Sequence, residues 1–158
     1  MRIGVISDTH GVIRPEALAA LAGSRMIVHA GDVGAPSVLA ALRTIAPVVA
    51  VRGNNDTGAW VARLPTAKTV RVAGVRLHVL HDLKELEPLA RGVRVVVSGH
   101  SHRPRAETRD GILYLNPGSA GPRRFRLPVT VARVWLGDAA PSAEIVELAI
   151  NEPGSRVR

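Results

Sequence analysis

Short apolar runs that stop at polar, glycine-bearing segments recur through the first third of the chain. Residues 2–7 (RIGVIS) run into DTHG, residues 25–32 (RMIVHAGD) end in GD, and residues 47–56 (PVVAVRGNND) end in GNND. Runs of this length, rich in Val and Ile, predict buried strands. Between them, RPEALAALAG (14–23) is opened by Pro15 and closed by Gly23, and PSVLAALRTI (36–45) follows the second strand. Both predict helices. Strand–helix–strand–helix–strand in turn predicts a parallel sheet with crossover helices.

The pattern then changes. TVRVAGVRLHVLH (69–81) predicts two strands joined at Ala73-Gly74, and RAETRDGILYLN (105–116) predicts a hairpin around Asp110-Gly111. LKELEPLARG (83–92) predicts a short helix that Pro88 weakens, and VRVVVSGH (93–100) another buried strand with a polar end. PVTVARVWLG and AEIVELAI complete the pattern as a final strand pair. Parallel units first and hairpins later fit a two-sheet α/β sandwich. One domain over residues 1–150 is expected, with a frayed tail at 151–158.

Composition narrows the chemistry. At 158 residues and 46% hydrophobic the chain can bury an ordinary core, and with 3% aromatics that core must be Val, Leu, Ile and Ala. Cysteine is absent, which excludes disulfides, thiolate metal sites and a cysteine nucleophile. The first residues turn polar at Ser7 and Asp8, too early for a signal-peptide core, and no run approaches a membrane span of about 20 apolar residues. A soluble, cytoplasmic protein is expected. The formal charge is +8, almost all from arginine, since Lys68 and Lys84 are the only lysines. A nucleic-acid partner would need a patch or stripe. Arg103, Arg105, Arg109, Arg123, Arg124 and Arg126 make a weak one against Glu107 and Asp110, so nucleic acid is a possible partner but not the favoured one.

The polar strand ends carry the candidate chemistry. They contribute Asp8 and His10, Asp32, Asn54, His81, and His100 with His102. Imidazole, carboxylate and amide oxygen are all ligand types for first-row metals. An extended backbone would put Asp8 and His10 on one side, and likewise His100 and His102. Seven donors exceed what one tetrahedral ion needs and fit two ions sharing a carboxylate, with Asp32 the natural bridge. Taken singly, Asp8-x-His10 reads equally well as an Asx turn, and GNND as a plain turn in which Asn55 could take the place of Asn54. His78 reads as solvent-facing or as a satisfied packing residue on its strand, and His29 as an ordinary strand histidine ahead of a support for the Asp32 loop.

The ordered series D-x-H, G-D, G-N, H, G-H-x-H resembles the calcineurin-like metallophosphoesterases, most closely their small bacterial and archaeal phosphodiesterase branch. NPGS (116–119) followed by Pro122-Arg123 strengthens the likeness, which spans residues 3 to about 123. The resemblance implies an α/β/β/α sandwich of two mixed sheets. It implies that Asp8, His10 and His102 hold one divalent ion, that Asn54, His81 and His100 hold the other, and that Asp32 bridges. It implies a phosphodiesterase in which water ionised by the two metals attacks phosphorus. With two carboxylates and one hydroxide the centre would stay about +1, suited to a phosphodiester anion. Mn2+ suits the nitrogen and oxygen donors, and Fe, Zn, Ni and Co remain open.

Two positions depart from the family pattern. Asn55 stands where many members carry a histidine that protonates the leaving group. Asp82 stands where glycine usually follows the metal histidine. A non-catalytic metal-binding scaffold is the alternative, because a retromer sorting subunit of the same fold works mainly as a binding module. A nuclease is a third reading. Exposed hairpin edges are compatible with a homodimer.

Overall fold

Alternation along the first strand already fixes its two neighbours. In the computed structural model, which describes residues 1–150, Ile3 and Val5 of β1 (Arg2–Ile6) face one apolar layer and Ile6 faces another. Gly4 lies under α1 (Pro15–Leu21): a Cβ there would come within 2.6 Å of Leu21 Cδ2. The missing side chain is what lets the helix sit on the strand.

The chain continues as β2 (Ile27–His29), α2 (Pro36–Arg43) and β3 (Val48–Ala50). Both helices open with proline in the first turn, where its fixed φ and missing N–H do no harm. Next come β4 (Ala67–Val72), β5 (Val75–Leu80), β6 (Val93–Val97), β7 (Arg105–Arg109), β8 (Ile112–Asn116), β9 (Thr130–Trp135) and β10 (Ser142–Glu147). They form two mixed five-stranded sheets, ordered β10-β9-β1-β2-β3 and β4-β5-β6-β8-β7. In the first sheet β1, β2 and β3 are parallel, and in the second β5, β6 and β8 are parallel.

The two predicted hairpins are present. Ala73-Gly74 and Asp110-Gly111 all have positive φ, the signature of tight two-residue turns matched to strand twist. The predicted helix at 83–92 is not there. Only a single 3-10 turn forms, Leu83–Glu85, capped by Asp82 Oδ1 accepting from the Lys84 N–H at 3.0 Å. Pro88 removes a donor that a continuing helix would need. A second 3-10 turn, Ala59–Arg63, is not foreseen by the apolar pattern. The expected tail at 151–158 lies outside the described residues.

The main core lies between the sheets. Val28, Ala132 and Val134 of the first sheet meet Leu77, Val79, Val95, Val97 and Leu115 of the second. A second layer joins Ile6, Ile27 and Val131 to Leu21, Val38 and Leu42 of the helices. Full burial of each such side chain stabilises by about 1.5–3 kcal/mol. This packing brings the carboxyl ends of six parallel strands, three from each sheet, to one rim. Ligand sites in α/β folds form beyond such ends. No helix among the described residues is long and apolar enough to cross a membrane.

Candidate metal centre

Three of the strands entering the rim, β1, β2 and β6, run into left-handed backbone there. Asp8 (φ 55°), His10 (47°), Asp32 (52°), His100 (68°) and His102 (60°) all lie in the left-handed region. That region costs non-glycine residues about 1–2 kcal/mol each, with Asp, Asn and His tolerating it best. Neighbouring hydrogen bonds hold the strain. The Asp8 N–H donates to Gly31 O at 3.0 Å and the His10 N–H to Asp32 O at 2.9 Å. Ser119 Oγ donates to Asp8 O at 3.0 Å.

This geometry corrects the expectation that each alternating pair shares one side through an extended backbone. His100 and His102 part company. His102 turns inward beside His10, ring centroids 5.5 Å apart, while His100 packs edge-on against His81 at 5.2 Å.

Two groups of buried donors result. Asp8, His10 and His102 offer atoms within 4.8 Å of one another, and so do Asp8, Asp32 and His81. His102 Nε2 is 3.2 Å from Asp8 Oδ1, and His81 Nε2 is 3.3 Å from Asp32 Oδ2 and 3.8 Å from Asp8 Oδ1. His10 Nε2 lies 3.8 Å from Asp32 Oδ2 and 4.0 Å from Asp8 Oδ1. Asp8 belongs to both groups, and Asp32, a member of the second, comes within 3.8 Å of His10 in the first.

The donors are oriented by atoms turned away from the centre. Asp8 Oδ2 accepts from Ser7 Oγ at 2.6 Å and from the His100 N–H at 3.1 Å, which leaves Oδ1 buried without a partner. His81 Nδ1 lies 2.7 Å from Ala30 O. A carbonyl only accepts, so Nδ1 carries the proton and Nε2 presents its lone pair inward. Asn55 grips Asp32 twice, from its N–H to Oδ1 and from Nδ2 to Oδ2, both at 2.9 Å. It is a clamp on Asp32, whereas Asn54 stands at the mouth, its Oδ1 3.2 Å from Nδ1 of the half-exposed His100. Asp82 Oδ2 is 3.7 Å from His100 Nε2, beyond hydrogen-bond reach.

Close backbone approach requires two glycines. A Cβ on Gly99 would lie 2.6 Å from Asp8 Oδ2, and one on Gly53 would overlap Asp32 Oδ1. Side chains outside the candidate donor set complete the frame. The Asp56 carboxylate accepts N–H bonds from Val33 (3.2 Å), Gly34 (2.8 Å) and Gly53 (2.8 Å), tying the second strand end to the third. Its only sequence signal is a carboxylate in the same loop as Asn54. Asn116 of NPGS donates to Gly99 O at 2.8 Å and to Ser101 Oγ at 3.1 Å, bracing the GHSH loop.

His29 takes the less favoured of its sequence readings and supports the Asp32 loop. It is fully buried, accepts the Gly31 N–H at Nδ1 (3.2 Å) and donates from Nε2 to Thr9 Oγ1 (2.9 Å). Thr9 passes the bond on to Val33 O at 2.8 Å. Burial pushes the His29 pKa down to about 4, so the ring is neutral. His78, half-buried on β5, bonds only Thr69, at 2.8 Å, away from the centre.

Electrostatics fit a cation. Burial opposes ionisation of Asp32, yet the His81 imidazole beside it and the bonds from Asn55 outweigh it and hold the carboxyl below its usual range. For Asp8, burial is likewise outweighed by His102 and Ser7. Burial also opposes charge on His81, but the Asp32 carboxylate beside it, the Ala30 bond and the Asp8 charge raise its pKa. Burial and the Arg124 charge lower the His10 pKa, against Asp32 and Asp8. Asp8 Oδ1, His10 Nε2 and His81 Nε2 are buried polar atoms without hydrogen-bond partners. Orphans of this kind are costly unless something binds them. Their nitrogen and oxygen chemistry fits divalent first-row cations.

Comparison with known proteins agrees with this chemistry. Residues 1–138 match the family model of the calcineurin-like phosphoesterase superfamily domain. A probable metallophosphoesterase of Methanothermobacter thermautotrophicus is 36% identical over 149 residues, covering 85% of this chain and 86% of that protein. A solved archaeal phosphodiesterase superposes with a TM-score of 0.77 at 20% identity, covering 94% of this chain and all 100% of its own. Vps29 of Entamoeba histolytica, solved with zinc, superposes at 0.68 and 18% identity, covering 93% and 99%.

Proposed function

The chain belongs to the calcineurin-like phosphoesterase superfamily, and from that premise we propose that it is a phosphodiesterase working with two divalent cations. Asp8, His10 and His102 would hold one ion, Asn54, His81 and His100 the other, and Asp32 would bridge. The observation that carries this reading is the convergence of unpartnered, buried Asp8 Oδ1, His10 Nε2 and His81 Nε2 between two carboxylates. When bound, the cations supply Lewis acidity toward phosphoryl oxygens and lower the pKa of water from 15.7 toward 7. Manganese is the ion we favour. The likeness to an archaeal phosphodiesterase supports diesters as the substrate class.

The chain's own residues do the rest. Ser7 and the His100 N–H fix the rotation of Asp8, Asn55 fixes that of Asp32, and Ala30 O fixes the tautomer of His81. The open side at Asn54 and His100 is where a diester would enter. With Asn55 committed to Asp32, no imidazole at that position donates a proton to the departing oxygen. Aryl and other acidic leaving groups should therefore be hydrolysed better than alkyl ones.

Metal-stripped protein assayed on bis(4-nitrophenyl) phosphate tests the proposal. Turnover is expected only after Mn2+ is restored, and Asp32→Ala should lower it at least about a hundredfold, the scale of losing one transition-state stabiliser. Ion uptake without turnover would favour the scaffold reading. Cleavage of single-stranded RNA or DNA in preference to small diesters would favour the nuclease.

A further inference from the structure

A cavity of about 510 Å3 lies on the outer face of the second sheet and opens beside the metal centre. Volumes of this order suit a small-molecule site. Its floor is the β7–β8 hairpin, and its walls are the 82–84 turn and the Arg103-Pro104 segment. His100 and Asp82 belong both to this cavity and to the rim of the centre. A molecule lodged there can thus extend to the reacting phosphorus without crossing open surface.

Its chemistry is specific. The Arg109 guanidinium lies over the Tyr114 ring, 4.2 Å from the centroid. Glu107, directly across the strands from Tyr114, steadies Arg109 at 4.0 Å and Arg105 at 2.5 Å. A guanidinium held over a ring can offer its own outer face to another flat π-system. Leu83 and Pro104 add apolar walls. Lys84 and Arg103, both exposed, also line the cavity and have no carboxylate within 4.0 Å among the described residues. They are therefore available to an anion.

We infer that this cavity receives one arm of the substrate and that the arm is a nucleotide unit. The base stacks on the Tyr114–Arg109 platform, and a further phosphate faces Lys84 and Arg103. The inference rests on the phosphodiesterase reading and names its substrate class. Tyr114, Lys84 and Arg103 act as specificity determinants. One nucleotide unit fills the cavity, so a long polymer is not required.

Two chromogenic diesters test it. Methyl 4-nitrophenyl phosphate has no arm to lodge. Thymidine 3′-phosphate 5′-(4-nitrophenyl phosphate) has both base and extra phosphate. The Mn2+-loaded protein is expected to prefer the nucleotide diester by about tenfold or more in kcat/KM, mainly through KM, the scale of one base stack. Tyr114→Ala should reduce that preference. Lys84→Glu, at an exposed position that does not threaten the fold, should reduce it as well, by removing a partner of the 3′-phosphate. Equal kcat/KM for the two diesters, or a preference that both variants keep, would overturn the inference and leave the phosphodiesterase reading standing. Calorimetric binding of thymidine 3′,5′-bisphosphate decides the matter independently of turnover. Binding weakened by Lys84→Glu supports the inference, and no binding to the wild-type protein overturns it even if nothing is hydrolysed.

Discussion

Asn55 carries two burdens that separate experimentally. Its amide orients Asp32, and on the proposed reading it stands where a proton donor would speed loss of a poor leaving group. Asn55→His gives up the side-chain bond to Asp32 Oδ2 while the backbone bond to Oδ1 can persist. The ratio of alkyl to aryl diester hydrolysis should then rise, toward the 10²–10⁴ that general acid catalysis is worth, whatever happens to the aryl rate alone. An unchanged ratio would remove the leaving-group account. His29 makes a different prediction. Its folded pKa, about 4, lies below the unfolded value near 6.5. Below pH 6.5 the unfolded chain takes up a proton that the fold refuses, so stability is lost as pH falls from 6.5 toward 4 and levels off beneath. The stability advantage of metal-free wild-type protein over His29→Gln should shrink across that window by up to about 3 kcal/mol in urea titrations. An advantage independent of pH would mean that the ring is not held neutral.

At the scale of elements, the strand ends matter more than the strands. The β3 loop reaches the centre because Gly53 lets Asp32 lie against its backbone. Gly53→Ala puts a methyl onto Asp32 Oδ1 and should cost about 1–3 kcal/mol as overpacking does, together with Mn2+ affinity. Gly137→Ala, with open space around the added carbon, is the matched control and should change neither. Most elements are legible in the sequence, because apolar runs end at glycine and polar residues and because Asp-Gly and Ala-Gly pairs mark the hairpins. The expected helix over 83–92 fails for a local reason: Pro88 lacks an N–H and its ring would clash with the preceding turn, so only the capped 3-10 turn forms. The candidate donors are also legible, since ligand side chains cluster where strands stop. The way they converge is not. Alternation suggests an extended ribbon, whereas Asp8, His10, His100 and His102 turn through left-handed backbone that no periodicity encodes, which sends His102 inward and leaves His100 at the mouth. Asp56 and Ser7 escape notice because, in a sequence, a carboxylate or hydroxyl that orients a ligand looks like any loop residue.

Across the whole molecule, the candidate centre joins the two sheets. Asp8 and Asp32 come from the ends of β1 and β2, and His81, His100 and His102 from the ends of β5 and β6. The sandwich core sets the spacing between those ends, and the cations would neutralise what the core brings together. Family membership makes a metal-dependent phosphoesterase the general class; the number of ions is particular to this arrangement. The most direct measurement is the count of Mn2+ bound per chain in calorimetric titration of chelator-stripped protein, with Asp32→Ala alongside. The account predicts two ions for the wild-type chain, as in other two-metal hydrolytic sites, and at most one for the variant. A wild-type chain that takes up no ion, or an Asp32→Ala chain that binds as many ions as tightly, would contradict it.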